Sequence, residues 1–494
     1  MEIRKRKSRL LTYLFIFVIV FVLVFFGVQW FTKTGLFKIP GIVVYDDSLN
    51  ESELNALSSI FTDEIVLDKN VTISAKNYLE MPELSEGDYL YNVSVPVADY
   101  YSLESNIEID DPDFLLSKSY SSEASYEIID INELDYRKKL LSINGKYYLD
   151  DFIDGAIFRV VSFVSDKFTE EIKPLIEHKF TKNYPSKENV LTMAQTGVTA
   201  LSRGMNAKLD EVGDPSYFAE NLKDYLSSFD LTHTSNESSF SEYAYSGNIC
   251  SDPRFIETLT AIGLDIVELT GNHNQDCGDE AAIDTIELYK ELGIKIVGGG
   301  KTADEAAEPL LINQKGNGIT FLAYNLSTGG ATYDDTPGAN QYNEDNVVAE
   351  ISQAKERGDF IIVDIQYYEC SSYVATYEDS TCDFADSAPG DQIGLFRHLI
   401  DLGANLVVGT SAHQPQTFEL YGDGTIYYGL GNLFFDQAWW PGTTRSLILE
   451  HYFYNGKLLQ TKLTPTVYDT SLQTSLLDEE TSKWFLEKLI NERP

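Results

Sequence analysis

Thr270-Gly-Asn-His-Asn-Gln-Asp276 closes the alternating, β-branched run Gly263-Leu-Asp-Ile-Val-Glu-Leu269 and precedes Glu280-Ala-Ala-Ile-Asp-Thr-Ile-Glu-Leu-Tyr-Lys-Glu-Leu292. The run has the pattern of a strand, and the later segment carries apolar residues at helical spacing. Asn272 and His273 therefore fall at the carboxyl end of a predicted parallel strand, where open α/β sheets collect ligands. An Asn oxygen beside a neutral imidazole suits a metal ion, and equally a phosphate or carboxylate. Asn and Gly also favour turns and helix caps, so the triplet alone does not define a site. A second stretch far downstream, Gly409-Thr-Ser-Ala-His413-Gln-Pro-Gln416, has the same context. Convergence of two strand ends is a stronger signal than either alone.

Outward from these stretches, strands and helices alternate from Val190 onward, the pattern of a layered α/β domain. Strands are predicted around 190–195, 231–237, 263–269, 319–324, 360–366, 405–409 and 425–428, with helices around 218–226, 255–262, 280–292 and 393–402. Polar residues gather just after them: Asn236, Glu237, Asn272, His273, Gln366, His413 and Asn432. His233 lies three residues before Asn236, so strand alternation turns it to the face of Ser235 and Glu237, as a reserve ligand only. Asp276 is placed to orient His273 by taking its second N–H, or to cap the following helix. His178, His398 and His451 stand in ordinary helical or strand contexts and are read as structural or solvated.

The chain of 494 residues has 37 Lys plus Arg against 77 Asp plus Glu, a formal charge of −40. That balance repels nucleic acid and anionic surfaces, so no nucleic-acid partner is expected. Arg4-Lys-Arg-Lys7 and Arg9 precede an uncharged apolar segment, Leu10 to Phe31. Its length matches the roughly 20 apolar residues of a membrane-spanning helix, and the basic flank predicts a cytoplasmic N-terminus with the bulk of the chain outside the membrane. A cleaved signal peptide is the rival reading; the segment is long for one and no Ala-x-Ala-like site follows. Four cysteines (Cys250, Cys277, Cys370, Cys382) do not make a disulfide scaffold; they allow three pairings, with free thiols the alternative. The predicted organisation is a basic tail and anchor (1–37), an α+β membrane-proximal region without a chemical motif (38–187), the α/β domain (188–470) and a C-terminal helix or tail (471–494).

Several ordered blocks over about residues 190–465 resemble the CapA family of capsule and poly-gamma-glutamate synthesis proteins. They are Gly271-Asn-His273, Gly298-Gly-Gly300 with Glu305-Ala-Ala-Glu-Pro309, Gly403-Ala-Asn-Leu-Val-Val-Gly409 leading to His413 and Gln416, and Tyr428-Gly-Leu-Gly-Asn-Leu-Phe-Phe-Asp436. The resemblance implies a calcineurin-like metallophosphatase fold with α/β/β/α layers, and a site for divalent metal (Mn, Fe or Zn). The family's metal pattern is altered here. Its Gly-Asp block reads Thr196-Gly-Val-Thr199, Gln366 stands for the His of its His-Trp-Gly block, and of its Gly-His-His-Pro-His block only His413 remains, with Ser411 in place of another His. A two-metal centre needs about three or four ligands per ion, including a bridging carboxylate. This chain offers Glu237, Asn236, Asn272, His273 and His413, a weak set. Arg203 matches the basic residue after the family's first block and is a candidate contact for an anionic substrate, with Gln366, Gln416 and Asn432.

Three functions are consistent with these residues. The first is a membrane-anchored CapA-like factor in the synthesis, export or attachment of an extracellular anionic polymer, beside membrane-bound polymer-synthesis partners. The second is a metal-dependent phosphoesterase or amide hydrolase using His273, His413 and Asp276. The third is a non-catalytic module that grips the polymer by hydrogen bonds.

Overall fold

The structure is a computed structural model that describes residues 43–58, 71–119, 125–164, 183–326, 329–332, 335–367, 391–439 and 441–494. The chain divides into two units: one from Met1–Ser94, Ile109–Lys118 and Ile153–Tyr184, the other from Val95–Glu108, Ser119–Phe152 and Pro185–Pro494.

The smaller unit is built on antiparallel pairing of Val71–Tyr78 with Ile157–Val164, which in turn pairs with the strand beginning at Asp88. Helix Glu51–Ser58 starts with a reciprocal cap, in which Asn50 Oδ1 accepts from Glu53 N and Glu53 Oε2 accepts from Asn50 N. The same Glu53 carboxylate, fully buried, takes a forked pair of bonds from Arg159. That fork satisfies a charge that burial would otherwise penalise.

The larger unit holds two mixed sheets. In the first, β1 (Leu191–Ala200), β2 (Leu231–Asn236), β3 (Leu264–Glu268) and β4 (Lys295–Val297) run parallel. In the second, β5 (Leu310–Gln314) lies antiparallel to β6 (Asn317–Asn325), which begins the parallel set β6, β7 (Phe360–Gln366), β8 (Leu406–Gly409) and β10 (Gly424–Tyr427), with β9 (Phe418–Tyr421) antiparallel on its edge. β11 (Asn432–Phe435) then returns to lie parallel to the C-terminal end of β1 on the side away from β2. On that same side β12 (Arg445–Tyr454) pairs with the N-terminal half of β1, with β13 (Lys457–Tyr468) and β14 (Thr474–Leu476) extending the sheet beyond it.

The parallel strands are buried on both faces, which accounts for their near-continuous apolar runs. Met193, Leu231 and Ile266 of the first sheet meet Phe321, Ile362 and Val408 of the second in one core. The outer face of the first sheet is covered by α1 (Gly204–Val212) and α2 (Asp279–Glu291) through Met205, Leu209, Ile286 and Tyr289. The outer face of the second is covered by α3 (Glu344–Arg357) and α4 (Gln392–Leu402) through Val347, Ile351, Phe396 and Leu399. The layers are α/β/β/α. The C-terminal helix α5 (Glu479–Asn491) buries Phe485 and Leu489 in the inter-sheet core.

One part of the fold expectation is corrected. The apolar segment Leu10 to Phe31 lies outside the described residues, and among the described residues no helix is long and apolar enough to cross a membrane. The longest helix named above, α3, has 14 residues and buries one face only, short of the roughly 20 apolar residues a spanning helix needs. What is observed is an α/β protein with mixed sheets. The transmembrane helix, the membrane anchoring, the single-pass topology and the outward-facing location drawn from it are not carried into the functional reading.

Candidate functional site

Close packing of glycines brings the strand ends together. A Cβ on Gly197 of β1 would lie 2.0 Å from the Gly431 carbonyl oxygen, which accepts a hydrogen bond from Val198 N at 2.8 Å. This contact lays β11 along β1 and sets Asn432 at the edge of the first sheet. Likewise a Cβ on Gly271 would lie 2.6 Å from the Glu237 Cα, so glycine there lets the Asn272 loop close over the end of β2.

Glu237, Asn272, Gln366, His413 and Asn432 converge at this edge. Gln366, at the end of β7, donates from Nε2 to Asn272 Oδ1 at 3.0 Å and towards Glu237 Oε1 at 3.3 Å. His413 Nε2 stands 3.9 Å from Glu237 Oε2, and its Nδ1 is 2.8 Å from Asn432 Oδ1. Asn432 is held in turn by donating to the Thr443 carbonyl and to Gln437 Oε1. Glu237 is fully buried and His413 nearly so.

His273 is one-quarter exposed, with Nδ1 2.8 Å from Asp276 Oδ2. The Asp orients the imidazole, one of the two roles its spacing suggested. The adjoining Cys277 is disulfide-bonded to Cys250, which ties this loop to the segment after β2. Cys370 and Cys382 lie outside the described residues.

Arg203 has φ 55, ψ −123, an uncommon conformation for a residue with a Cβ. Its guanidinium lies 5.0 Å from the ring centroid of Phe435 and 5.5 Å from that of Trp439. Phe435 also packs against the His413 ring at 5.3 Å, so Arg203 and His413 flank one aromatic residue. Strained backbone that holds a side chain in place is a recurrent property of functional sites.

Two candidates turn away. Asn236 donates to the Ser238 carbonyl and to Tyr289 OH, on the α2 side of the sheet. Gln416 accepts from Gln392 at 3.2 Å on α4. Neither faces Glu237. His398 pairs with Glu344 in an exposed contact.

Beneath the strand ends lies a polar network that the sequence reading did not identify. Gln195 Nε2 donates to Asp364 Oδ1 at 2.7 Å, and His233 Nε2 is 3.1 Å from Asp364 Oδ2. Gln195 Oε1 takes His451 Nε2 at 3.3 Å, while His451 Nδ1 is 2.9 Å from Thr461 Oγ1. Burial, with His233 adding, pushes His451 down to about 3, so it is neutral and donates from Nε2 to Gln195. His233 thus belongs to the inter-sheet core. The available signal was Asp364, the one charged residue within the otherwise apolar run of β7.

Glu268 caps the loop that carries Asn272 by accepting from the Thr270 backbone N–H and hydroxyl. Burial, and secondarily the Asp364 carboxylate, raise it from 4.5 to about 7. Between those values the folded chain binds more protons here than the unfolded chain does. Stability therefore falls as pH rises through that window, by about 3 kcal/mol at its upper end. Glu268→Gln keeps the accepting oxygen and removes the titration. Its urea midpoint is expected to rise relative to wild type at pH 8 and to match it more closely at pH 5; an unchanged pH slope in the variant would show that another group carries it.

The donor set does not fit a two-metal centre. The stretch Thr196–Thr199 carries no carboxylate: Gly197 packs on backbone, Val198 is buried and Thr199 hydrogen-bonds Thr234. The Gln366 amide N–H groups already point at the Glu237 and Asn272 oxygens that a cation would take. Among the described residues no group of three or more His, Cys, Asp or Glu side chains is arranged to hold a metal ion.

The layered sheets and the strand-end cluster define an α/β/β/α sandwich whose strand-end site is built from carboxamides around Glu237 and His413. Residues 192–437 belong to the family of bacterial capsule synthesis proteins described as PGA_cap. The chain is 27% identical over 209 residues to the capsule biosynthesis protein CapA of Bacillus anthracis, covering 40% of this chain and 48% of that protein. It is 28% identical over 206 residues to the PGA biosynthesis protein CapA of Bacillus subtilis, covering 41% and 50%. A probable polyglutamine synthesis accessory protein of Mycobacterium tuberculosis is 26% identical over 194 residues, covering 37% and 48%. The chain spans about half the length of the curated relatives it matches. A solved structure, that of TT1561 from Thermus thermophilus, aligns with a TM-score of 0.30 at 11% identity over 54% of this chain and 99% of that one, a slight likeness.

Proposed function

We propose that this chain takes part in the synthesis, export or attachment of an extracellular anionic polymer, and that the strand-end cluster binds one unit of that polymer by hydrogen bonds. The observation that carries the reading is the Gln366 carboxamide bridging Glu237 and Asn272. Gln366 Oε1 and, in the loop that carries His413, Ser411 Oγ and both carboxamide heteroatoms of Gln414 are buried without hydrogen-bond partners among the described residues. Buried polar atoms are rarely left unpaired, and a polar ligand would supply the partners. Kinship with capsule and PGA biosynthesis proteins supports an anionic polymer as that ligand.

The chain's own charge of −40 opposes such a ligand. Arg203, with Nη1 buried and unpartnered among the described residues, supplies the local cation. Binding of poly-gamma-glutamate to the full chain, measured by calorimetry with neutral dextran as control, tests this. Arg203→Gly tolerates the backbone conformation while removing the guanidinium, and is expected to weaken binding about tenfold or more, as for a lost charge-assisted pair. Chelation with EDTA is expected to leave binding intact. Loss of binding on chelation, or an unchanged affinity in the variant, counts against the proposal.

A further inference from the structure

A cavity of about 520 Å3 opens in the larger unit, and none of the strand-end cluster residues lines it. Its walls come from the segments around Tyr100–Asn106 and Lys139–Asp150, from β13 and from α5. The volume falls within the range of roughly 300–1,000 Å3 that small-molecule sites occupy. Leu103, Leu140, Phe418, Leu463, Leu486 and Ile490 make one part of the wall apolar.

Three lysines face the same space, in a chain where bases are outnumbered two to one. Lys462 is already committed, with Nζ 3.2 Å from Glu450 and 5.3 Å from the Tyr147 ring centroid. Lys139 is not. Its ammonium donates to the Ser102 carbonyl at 2.8 Å and makes no ion pair among the described residues. An ammonium has three donors, so one carbonyl leaves two to satisfy. Burial above all, and the neighbouring Lys483 charge, lower Lys139 to about 8 in spite of an opposing pull from Glu104.

Three carboxylates share the wall with the three lysines. Asp150 sits with Lys462 and accepts from Tyr452 OH, Glu479 lies one turn before Lys483 on α5, and Glu104 acts on Lys139. The wall is therefore balanced in total charge; what marks the Lys139 end is an ammonium drawn out of water with one carbonyl acceptor and no ion pair among the described residues. Among the described residues no arginine lines the cavity, so the forked geometry that selects phosphate is not provided there and point-charge pairing remains.

We propose that this cavity is a second ligand site, which takes a monocarboxylate whose anion meets Lys139 and Lys483 and whose apolar body lies along Leu103, Phe418, Leu486 and Ile490. The pairing neutralises a desolvated ammonium and buries apolar surface in one event. It is independent of the polymer-binding reading, because it shares no residue with the strand-end cluster.

Calorimetry on the full chain with octanoate, octan-1-ol and octylamine tests it. Octanoate is expected to bind with a stoichiometry of one and to raise Tm, the alcohol to bind at least tenfold more weakly, and the amine not to bind. Lys139→Met is expected to lower octanoate affinity about tenfold or more. Lys483→Met, on an exposed helix position where folding is safe, is expected to lower it severalfold. Equal binding of octanoate and octanol, absence of saturable octanoate binding, or unchanged affinity in both variants would overturn the proposal. Poly-gamma-glutamate binding measured on the same variants separates this site from the strand-end cluster.

Discussion

Gly197→Ala is expected to destabilise the larger unit by about 3–5 kcal/mol, beyond the usual range for a single substitution. The glycine is not needed for a positive φ; what it provides is room. A methyl group would stand 2.0 Å from the Gly431 carbonyl oxygen and 3.2 Å from the Leu430 carbonyl carbon. Both neighbours are backbone, and Gly431 is itself pressed against the Arg445 carbonyl and the Pro415 ring, so neither side has a flexible end to move. Relief requires β11 to separate from β1, which moves Asn432 away from His413 and opens the site as well as the sheet. Gly213→Ala is the control: that residue has φ 73 but open space around its Cβ, so its cost is expected near 1 kcal/mol, roughly the strain of a left-handed alanine. Urea unfolding followed by tryptophan fluorescence compares the two, with Trp439 and Trp484 in this unit as reporters. Equal midpoints for the two variants would mean that the Gly197–Gly431 contact yields easily.

Gln366→Glu is expected to cost about 2–4 kcal/mol at pH 7 and to make stability respond to divalent metal. The substitution removes the amide donor that lies between Glu237 and Asn272 and puts a second carboxylate about 3 Å from the first. Two buried carboxylates at that distance do not both ionise readily, so one carboxyl is raised above its usual value. A raised carboxyl binds its proton better in the folded chain. The loss of stability is therefore expected to be smallest near pH 5 and to grow as pH rises. Mn2+ would neutralise the pair, so the variant's Tm is expected to rise with Mn2+ by several degrees more than that of wild type. An equal, stoichiometric Mn2+ response in wild type would show that the amide does not hold the place of a cation, and would favour the hydrolase reading.

Gly197 gives the room that seats β11 on β1, and the Gln366 amide bonds Glu237 to Asn272. Each residue holds the strand-end site by packing or hydrogen bonding, so both substitutions are expected to disturb the site as well as the stability of the fold.

Much of the larger unit was legible in the chain because its strands are parallel and buried on both faces. Runs such as Phe360-Ile-Ile-Val-Asp-Ile-Gln366 and Asn405-Leu-Val-Val-Gly409 announce strands, and the helical spacing from Glu280 to Leu292 announces α2. The polar residues just beyond those runs then had to share an edge, and Glu237, Asn272, Gln366 and His413 do. Strand alternation set His233 on the face opposite Asn236, and so they lie: His233 joins Asp364 between the sheets, and Asn236 bonds Tyr289 on the helix side.

Local geometry can be read from the chain alone: the period of each element, the residue types at its ends, and the glycines that allow close approach. Tertiary structure alone decided the partners. The pairing of Cys250 with Cys277, the packing of Arg203 on Phe435 and Trp439, the Gln366 bridge and the Asp364–Gln195–His451 chain all join residues far apart in sequence. No periodicity encodes such contacts, because they depend on how two twisted sheets are brought face to face, and that is set by the packing of whole layers rather than by any single segment.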